Sequence, residues 1–165
     1  MMGVFKVQKL RKEDFELISG WFENTFEMFQ CFGGHMKTFP PTWEQVEEVQ
    51  KIYPQREILI GFIDSQPCAL GKIIPVENNA SARLGWIAID KSLRGKGLGS
   101  EWIKTIIEYF ESSYGKQALE LYVLKDNIPA QRTYESNGFR LMADENHLSL
   151  TFDCEEYKVL KMIRL

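Results

Sequence analysis

The chain has 165 residues, 44% of them hydrophobic and 26% charged, with a formal net charge of −3; the length suits one core and the balance is that of an ordinary globular protein. The mild acidity argues against a partner such as nucleic acid or an anionic membrane, and no apolar run is long enough to span a bilayer. The start, Met1-Met2-Gly3-Val4-Phe5-Lys6, lacks the apolar run of a secretory signal, so a cytoplasmic location is expected, and Cys31, Cys68 and Cys154, odd in number and scattered, fit free buried thiols rather than a disulfide framework.

Val4 to Leu10 reads as a first strand. Helical periodicity follows from Lys12 to about Glu27, with Phe15, Ile18, Trp21, Phe22 and Phe26 on one side. Phe29 to Pro41 reads as a loop ending at Pro40-Pro41. Thr42 then caps a second helix with Gln45 at the capping-box position, and Trp43, Val46 and Val49 give it an apolar surface. Glu57 to Asp64 and Cys68 to Val76 are strands joined by a tight turn around Ser65-Gln66, and Glu77 to Ser81 is another turn. Asn79-Ala80-Ser81 matches a glycosylation sequon, discounted for want of a secretion signal. Ala82 to Ile89 is a strand in which Gly85 offers a place for a bulge.

That strand runs into Asp90-Lys91-Ser92-Leu93-Arg94-Gly95-Lys96-Gly97-Leu98-Gly99-Ser100, where a glycine-rich loop passes into a helix. Leu98, Trp102, Ile103, Ile106, Ile107 and Phe110 keep the 3.6 period, so one face of this helix must pack on a sheet. First-turn N–H groups have no intrahelical acceptor and carry the positive end of the macrodipole, which makes the loop a cradle for a diphosphate. Gly95, Gly97 and Gly99 let the ligand come close, while Arg94 and Lys96 add mobile cations to a local basic group that includes Lys91. A P-loop would end in Gly-Lys-Ser/Thr, whereas Gly99 is followed by Ser100-Glu101; a dinucleotide fingerprint would need a third glycine where Ser100 stands. A plain basic turn explains one or two glycines better than three at alternate positions.

Leu119 to Leu124 is the next strand. It leads to Asp126-Asn127-Ile128-Pro129-Ala130-Gln131-Arg132-Thr133-Tyr134, with Asn127 as N-cap, Pro129 in the first turn and Gly138 in the left-handed position that ends the helix. Ala130 and Tyr134 share one face. A strand from Phe139 to about Ala143, a loop or distorted strand from His147 to Cys154, and a last strand from Glu155 to Arg164 complete the chain. No repeat, low-complexity tract or linker divides it, so residues 1–165 read as one domain. Its class is α/β, of the α+β kind: a mixed, mostly antiparallel sheet of about seven strands with about four helices. The last strand fits either a dimer contact or the covered edge of a monomer.

Arg94-Gly95-Lys96-Gly97-Leu98-Gly99 after an Ile-Ala-Ile-Asp strand, together with Asn127, Ala130, Tyr134 and Asn137-Gly138-Phe139, resembles the GNAT superfamily of acyl-CoA-dependent N-acetyltransferases. The likeness runs from about Leu84 to Phe139 and is silent about the acceptor. It implies the same element order, acetyl-CoA as co-substrate, and a strand before the loop that splays from its neighbour, so that the backbone of Ile87, Ala88 and Ile89 meets the pantetheine arm and the thioester carbonyl. The coenzyme site it implies comprises Ile87, Ala88, Ile89, Arg94, Gly95, Lys96, Gly97, Leu98, Gly99, Ser100 and Asn127. Tyr134 matches the tyrosine that in many members protonates the departing sulfur, a role a neutral phenol suits.

An amine that attacks a thioester must be neutral, the carbonyl oxygen must be stabilised as it gains charge, and the thiolate must receive a proton. Some protein N-terminal acetyltransferases of the superfamily place a glutamate base where this chain has Tyr122. Glu120 on the same strand face, Glu23 or Glu27 from the first helix, and a water chain are the alternatives. The acceptor, a primary amine of a small molecule or peptide, is expected between the first two helices, where Phe22, Phe26, Phe29, Phe32, Phe39 and Trp43 gather with His35 and Met36. No metal is expected, because Gly33-Gly34 between Cys31 and His35 disfavours the helix that would align them. The competing function is a non-catalytic acyl-CoA-binding sensor or regulatory module.

Overall fold

The computed structural model describes residues 5–76, 81–142 and 148–165. Its first half holds β1 (Lys6–Lys9), α1 (Lys12–Ile18), α2 (Thr25–Phe32), α3 (Trp43–Ile52), β2 (Glu57–Ile63), β3 (Gln66–Val76) and β4 (Ser81–Ile89). Then come α4 (Leu98–Tyr114), β5 (Ala118–Leu124), α5 (Ile128–Glu135), β6 (Arg140–Leu141), β7 (Leu148–Phe152) and β8 (Glu155–Arg164). The strands form one sheet in the order β1-β2-β3-β4-β5-β8-β6, with β7 also on β8, and only the β4–β5 pair is parallel. This is the expected mixed, mostly antiparallel α/β architecture, with eight strands and five α-helices among the described residues in place of about seven and four.

Three departures from the expected elements have local causes. The single helix expected from Lys12 to Glu27 is two: after a 3₁₀ turn at Ser19–Trp21 the chain extends at Phe22, and Asn24 starts α2 by accepting from Glu27 N at 2.9 Å. Glu27 Oε2 accepts in return from Glu23 N at 2.7 Å, so a cap and its reciprocal bond override the apolar period. Consequently Phe29 and Phe32 lie in α2 rather than in a loop. His147 to Cys154, expected as a loop or distorted strand, contains β7, whose turn to β8 uses Asp153 and Cys154 at φ 49° and 63°. The expected strand from Phe139 shrinks to Arg140–Leu141 within the described residues. Thr42 does cap α3 through Gln45 N, and the turn between β2 and β3 lies at Asp64-Ser65, one residue earlier than expected. Cys68 is buried but Cys154 is exposed, contrary to the expectation of buried thiols throughout. Residues 77–80 of the turn expected over Glu77 to Ser81, with the Asn79 sequon, the first four residues, Ala143 and His147 lie outside the described residues.

Each face of the sheet carries a core. On one, Trp102, Ile103 and Ile106 of α4 pack on Leu59, Ala69, Leu84 and Leu119; on the other, Phe15, Ile18, Phe32 and Val46 from α1 to α3 pack on Ile58, Ile60, Leu70 and Trp86. Two glycines let α4 approach closely: a Cβ on Gly61 or Gly71 would come within 2.5 Å of the Trp102 ring or Ile106 Cδ1. Trp102 also donates its indole N–H to Leu70 O at 2.9 Å. That carbonyl sits where the β3–β4 register shifts, between Leu70↔Ala88 and Lys72↔Gly85. The bulge therefore falls in β4 at Gly85 to Ile87, where Gly85 had marked a place for one, and α4 is pinned beside it. Among the described residues no helix is long and apolar enough to cross a membrane.

Candidate active site

β4 and β5 pair only across Ser81–Arg83 and Ala118–Glu120, although β4 runs on to Ile89 and β5 to Leu124. The strands thus part beyond Arg83, and backbone N–H and C=O groups on their facing edges lose their sheet partners. Such groups need another partner when buried. A cleft of about 800 Å³ occupies the gap and reaches both faces of the sheet. Ile87, Ala88 and Ile89 line it from β4, Asn127 and Tyr134 from α5, and Arg94, Gly95, Gly97, Leu98, Gly99 and Ser100 from the loop and the start of α4. Of Tyr134 and the residues expected to hold the coenzyme, Lys96 alone is not in the lining; it is exposed.

The loop is built to leave amides open. Asp90 Oδ1 accepts from Ser92 N at 2.9 Å and closes a 3₁₀ turn over Lys91–Leu93. Gly95 and Gly97 then take φ of 77° and 79°, and Gly97 heads the 17-residue α4 without any side-chain cap. The first-turn N–H groups are left for an external anion, and a Cβ on Gly95 would meet nothing within 4 Å, so the space beside it is open. These features fit a diphosphate. Arg94, expected as a mobile cation, is instead fixed: Nε donates to Ile89 O at 3.1 Å, Nη2 to Trp21 O at 2.9 Å, and Nη1 pairs with Glu27. It ties the loop to α2. The Ile89 carbonyl, one of the groups expected to be free, is taken by this contact. Ser100 joins α4 to the end of α5, its hydroxyl accepting from Asn137 Nδ2 at 3.0 Å.

Tyr134 lies one helical turn after Ala130, and Asn127 caps that helix by accepting from Ala130 N at 3.3 Å. Its ring meets Phe139 edge-on at 6.1 Å. Burial pushes the phenol well above its ordinary range. The hydroxyl is therefore protonated at any working pH and able to donate.

Cys31 belongs to α2 on the opposite face, so the cleft passes through the sheet from the α4–α5 side to the α1–α3 side. There it is lined by Cys31, His35, Lys72, Arg83, Trp86 and Tyr122. Trp86, in the bulge, holds φ 53°, a conformation that costs a non-glycine residue about 1–3 kcal/mol and persists only where packing imposes it. Phe32 packs edge-on to its ring at 5.0 Å, and Lys72 Nζ and Arg56 Cζ each lie 5.2 Å from the ring centre. Trp86 Nε1, His35 Nδ1, and Arg56 Nε and Nη1 are buried without hydrogen-bond partners among the described residues. Burial, with Arg56 and Arg83 adding, brings Lys72 down to about 7; burial, then Lys72 and Arg56, brings His35 down to about 4. Burial raises the Cys31 thiol, which stays protonated.

The carboxylates weighed as bases are engaged elsewhere. Glu120 is buried, and though burial would raise it, bonds from Lys161 at 2.8 Å and Arg83 at 2.6 Å outweigh that and hold its carboxyl below the usual range. It is not in the lining. Glu27 is, but paired with Arg94, and exposed Glu23 contributes only its backbone N–H to Glu27. Tyr122 lines the cleft with the Arg83 guanidinium 4.8 Å over its ring. The aromatic group divides: Phe22, Phe29 and Phe32 border the cleft, Phe26 packs on Phe152 and Tyr157, Trp43 on Phe15, and Phe39 is exposed. Met36 is buried in the core with Phe32. Among the described residues no three His, Cys, Asp or Glu side chains gather as metal ligands. Lys72 and Arg83 were missed from the sequence; the one signal was a lysine inside the otherwise apolar run Cys68 to Ile74.

The chain is similar to known acetyltransferases in sequence and in fold. The model of the Acetyltransferase (GNAT) family matches residues 18–139. Mycothiol acetyltransferase of Brachybacterium faecium is 30% identical over 95 residues, 58% of this chain and 27% of that protein. Spermine/spermidine N(1)-acetyltransferase of Bacillus subtilis is 33% identical over 67 residues, 39% of this chain and 43% of that one. The matched stretch thus spans less than half the length of either relative. Spermidine N-acetyltransferase from Vibrio cholerae, solved with CoA and spermine, superposes with a TM-score of 0.77 at 18% identity over 97% of this chain and 94% of that one. RimL, a ribosomal L7/L12 α-N-protein acetyltransferase solved with coenzyme A, gives 0.77 at 12% identity over 98% and 94%. The chain belongs to the GNAT acetyltransferase family.

Proposed function

We propose that the protein is an acetyl-CoA-dependent N-acetyltransferase that moves the acetyl group to a primary amine of a small molecule or peptide by direct attack, with Tyr134 as general acid. One observation carries this reading: a cleft through the parted strands β4 and β5 joins an uncapped helix N-terminus behind two left-handed glycines to a partly buried phenol. The amides from Gly95 to Ser100 would hold the diphosphate, the edges of Ile87 and Ala88 the pantetheine arm, and Asn127 the same arm while capping α5. The bound thioester supplies an electrophilic carbonyl. Tyr134, kept neutral by burial, donates its proton to the departing sulfur and recovers one from solvent. With Glu120 and Glu27 held in ion pairs, proton removal from the amine falls to solvent entering the cleft.

The test is release of free coenzyme A from acetyl-CoA with a panel of amines, amino acids, polyamines, aminoglycosides and peptides. Tyr134→Phe should lower turnover by about 100-fold while coenzyme affinity stays within a few-fold, because the phenol acts in the transition state and hardly in binding. Equal turnover would remove Tyr134 from the chemistry. Coenzyme binding with no thiol release for any amine would leave a binding module.

A further inference from the structure

Lys72 stands out on the acceptor side of the cleft. It is 7% exposed, lies mid-strand in β3, and has no hydrogen bond or ion pair to any described carboxylate, yet its side chain lines the cleft. A lysine in such surroundings is rare unless paired. Gly85 makes its position possible: a Cβ there would come within 3.0 Å of Lys72 Cε and 3.2 Å of Nζ. The strained Trp86 beside it supplies the ring on which the ammonium rests. Arg83 lines the same wall; its Nε and Nη2 donate to Glu120, leaving Nη1 uncommitted among the described residues. Glu120 is neutralised by Arg83 and Lys161, and Glu27, which lines the cleft, by Arg94. The wall that receives the acceptor is therefore cationic.

Resting on the acetyltransferase reading, we infer that the acceptor is a small amine bearing an anionic group, a carboxylate above all, which Lys72 and Arg83 receive while the amine faces the thioester. An anion supplies the partner that buried Lys72 lacks, and it completes the ion pair inside a low-dielectric site where such a pair is strong. A polyamine would bring further positive charge against Lys72, Arg83 and Arg56 with no described carboxylate free to receive it, so the preference runs opposite to that named for the spermidine and spermine relatives. Lys72 is a specificity-determining residue here, touching the acceptor's acid and taking no part in proton transfer to sulfur.

The test compares matched pairs of acceptors with the full chain and saturating acetyl-CoA: L-phenylalanine against phenethylamine, 4-aminobutyrate against 1,4-diaminobutane, and aminoethyl phosphate against ethanolamine, with spermidine alongside. The acid-bearing member of a pair should show at least about 10-fold higher kcat/KM. Lys72→Met should erase that ratio through KM, and Lys72→Arg should retain most of it. Preference for the carboxylates over aminoethyl phosphate would identify the acid as carboxylate, and the reverse as phosphate. Binding of the same acids to the coenzyme-loaded protein by calorimetry gives a readout free of turnover, in which Lys72→Met should weaken affinity by about 10-fold. Faster acetylation of spermidine or the diamines, or acid binding equal in wild type and Lys72→Met, would overturn this inference and leave the transferase reading intact. No thiol release from any acceptor would sink the transferase reading instead.

Discussion

The two ends of the cleft are made in opposite ways. The end proposed for the coenzyme is nearly all backbone: an unpaired strand edge, two left-handed glycines and the open N-terminus of α4, all within residues 87–100. The end proposed for the acceptor is nearly all side chain, assembled from Cys31 in α2 and His35 after it, Lys72 on β3, and Arg83 and Trp86 on β4. A backbone site recognises what every acyl-CoA shares and leaves its mark in contiguous sequence. A side-chain site can change its ligand one residue at a time while the fold stays the same.

The largest effect that separates the ends is expected from Gly97→Glu, which puts a carboxylate, on a residue strained at φ 79°, where the diphosphate is proposed to sit. Coenzyme affinity should fall by more than about 100-fold by calorimetry, and unchanged affinity would break the distinction at its backbone end. Next comes Tyr134→Phe, with its roughly 100-fold loss in turnover and retained coenzyme affinity, which lies between the two ends. The exchange of Lys72 for Met should then reduce the acid-over-neutral ratio by about 10-fold without moving coenzyme affinity, the converse of the glycine substitution.

The smallest effect is on stability, and its sign is opposite to that of most core substitutions. Lys72 is faced by Arg56 ahead of β2, Arg83 and Trp86 on β4, and Cys31 and His35 from the α2 side. Its pKa falls from 10.5 when unfolded to about 7 when folded, so the folded chain binds protons less readily. The resulting cost to the fold is fully present below pH 7 and is relieved as pH rises towards 10. Lys72→Met should therefore raise Tm by about 5 °C at pH 6, with the gain shrinking by pH 10. A lower Tm for the variant at pH 6 would show that the ammonium is stabilised in the free protein.

This division also explains what could be read from the chain alone. The βα loop, the Asn127 cap, Gly138 and the helical period from Leu98 to Phe110 are local, so their positions followed from residue types over short spacings. The break between α1 and α2 was equally local, carried by Asn24 and Glu27, but the aromatic period of Phe15 to Phe26 concealed it. The β7 strand was lost beside it because Leu148, Leu150 and Phe152 alternate over only five residues. Arg94 was expected to serve the loop in which it stands, and only the folded chain brings Glu27 and Trp21, 67 and 73 residues away, within its reach. The proposed acceptor wall had no local signature because its members meet through a bulge and a sheet face.

The most direct measurement is a crystal structure of the protein with coenzyme A. The diphosphate should rest on the amides from Gly95 to Ser100, the pantetheine arm should run between β4 and β5, and the sulfur should lie within hydrogen-bond reach of the Tyr134 hydroxyl. A coenzyme bound outside the parted strands, or a sulfur remote from that phenol, would contradict the account.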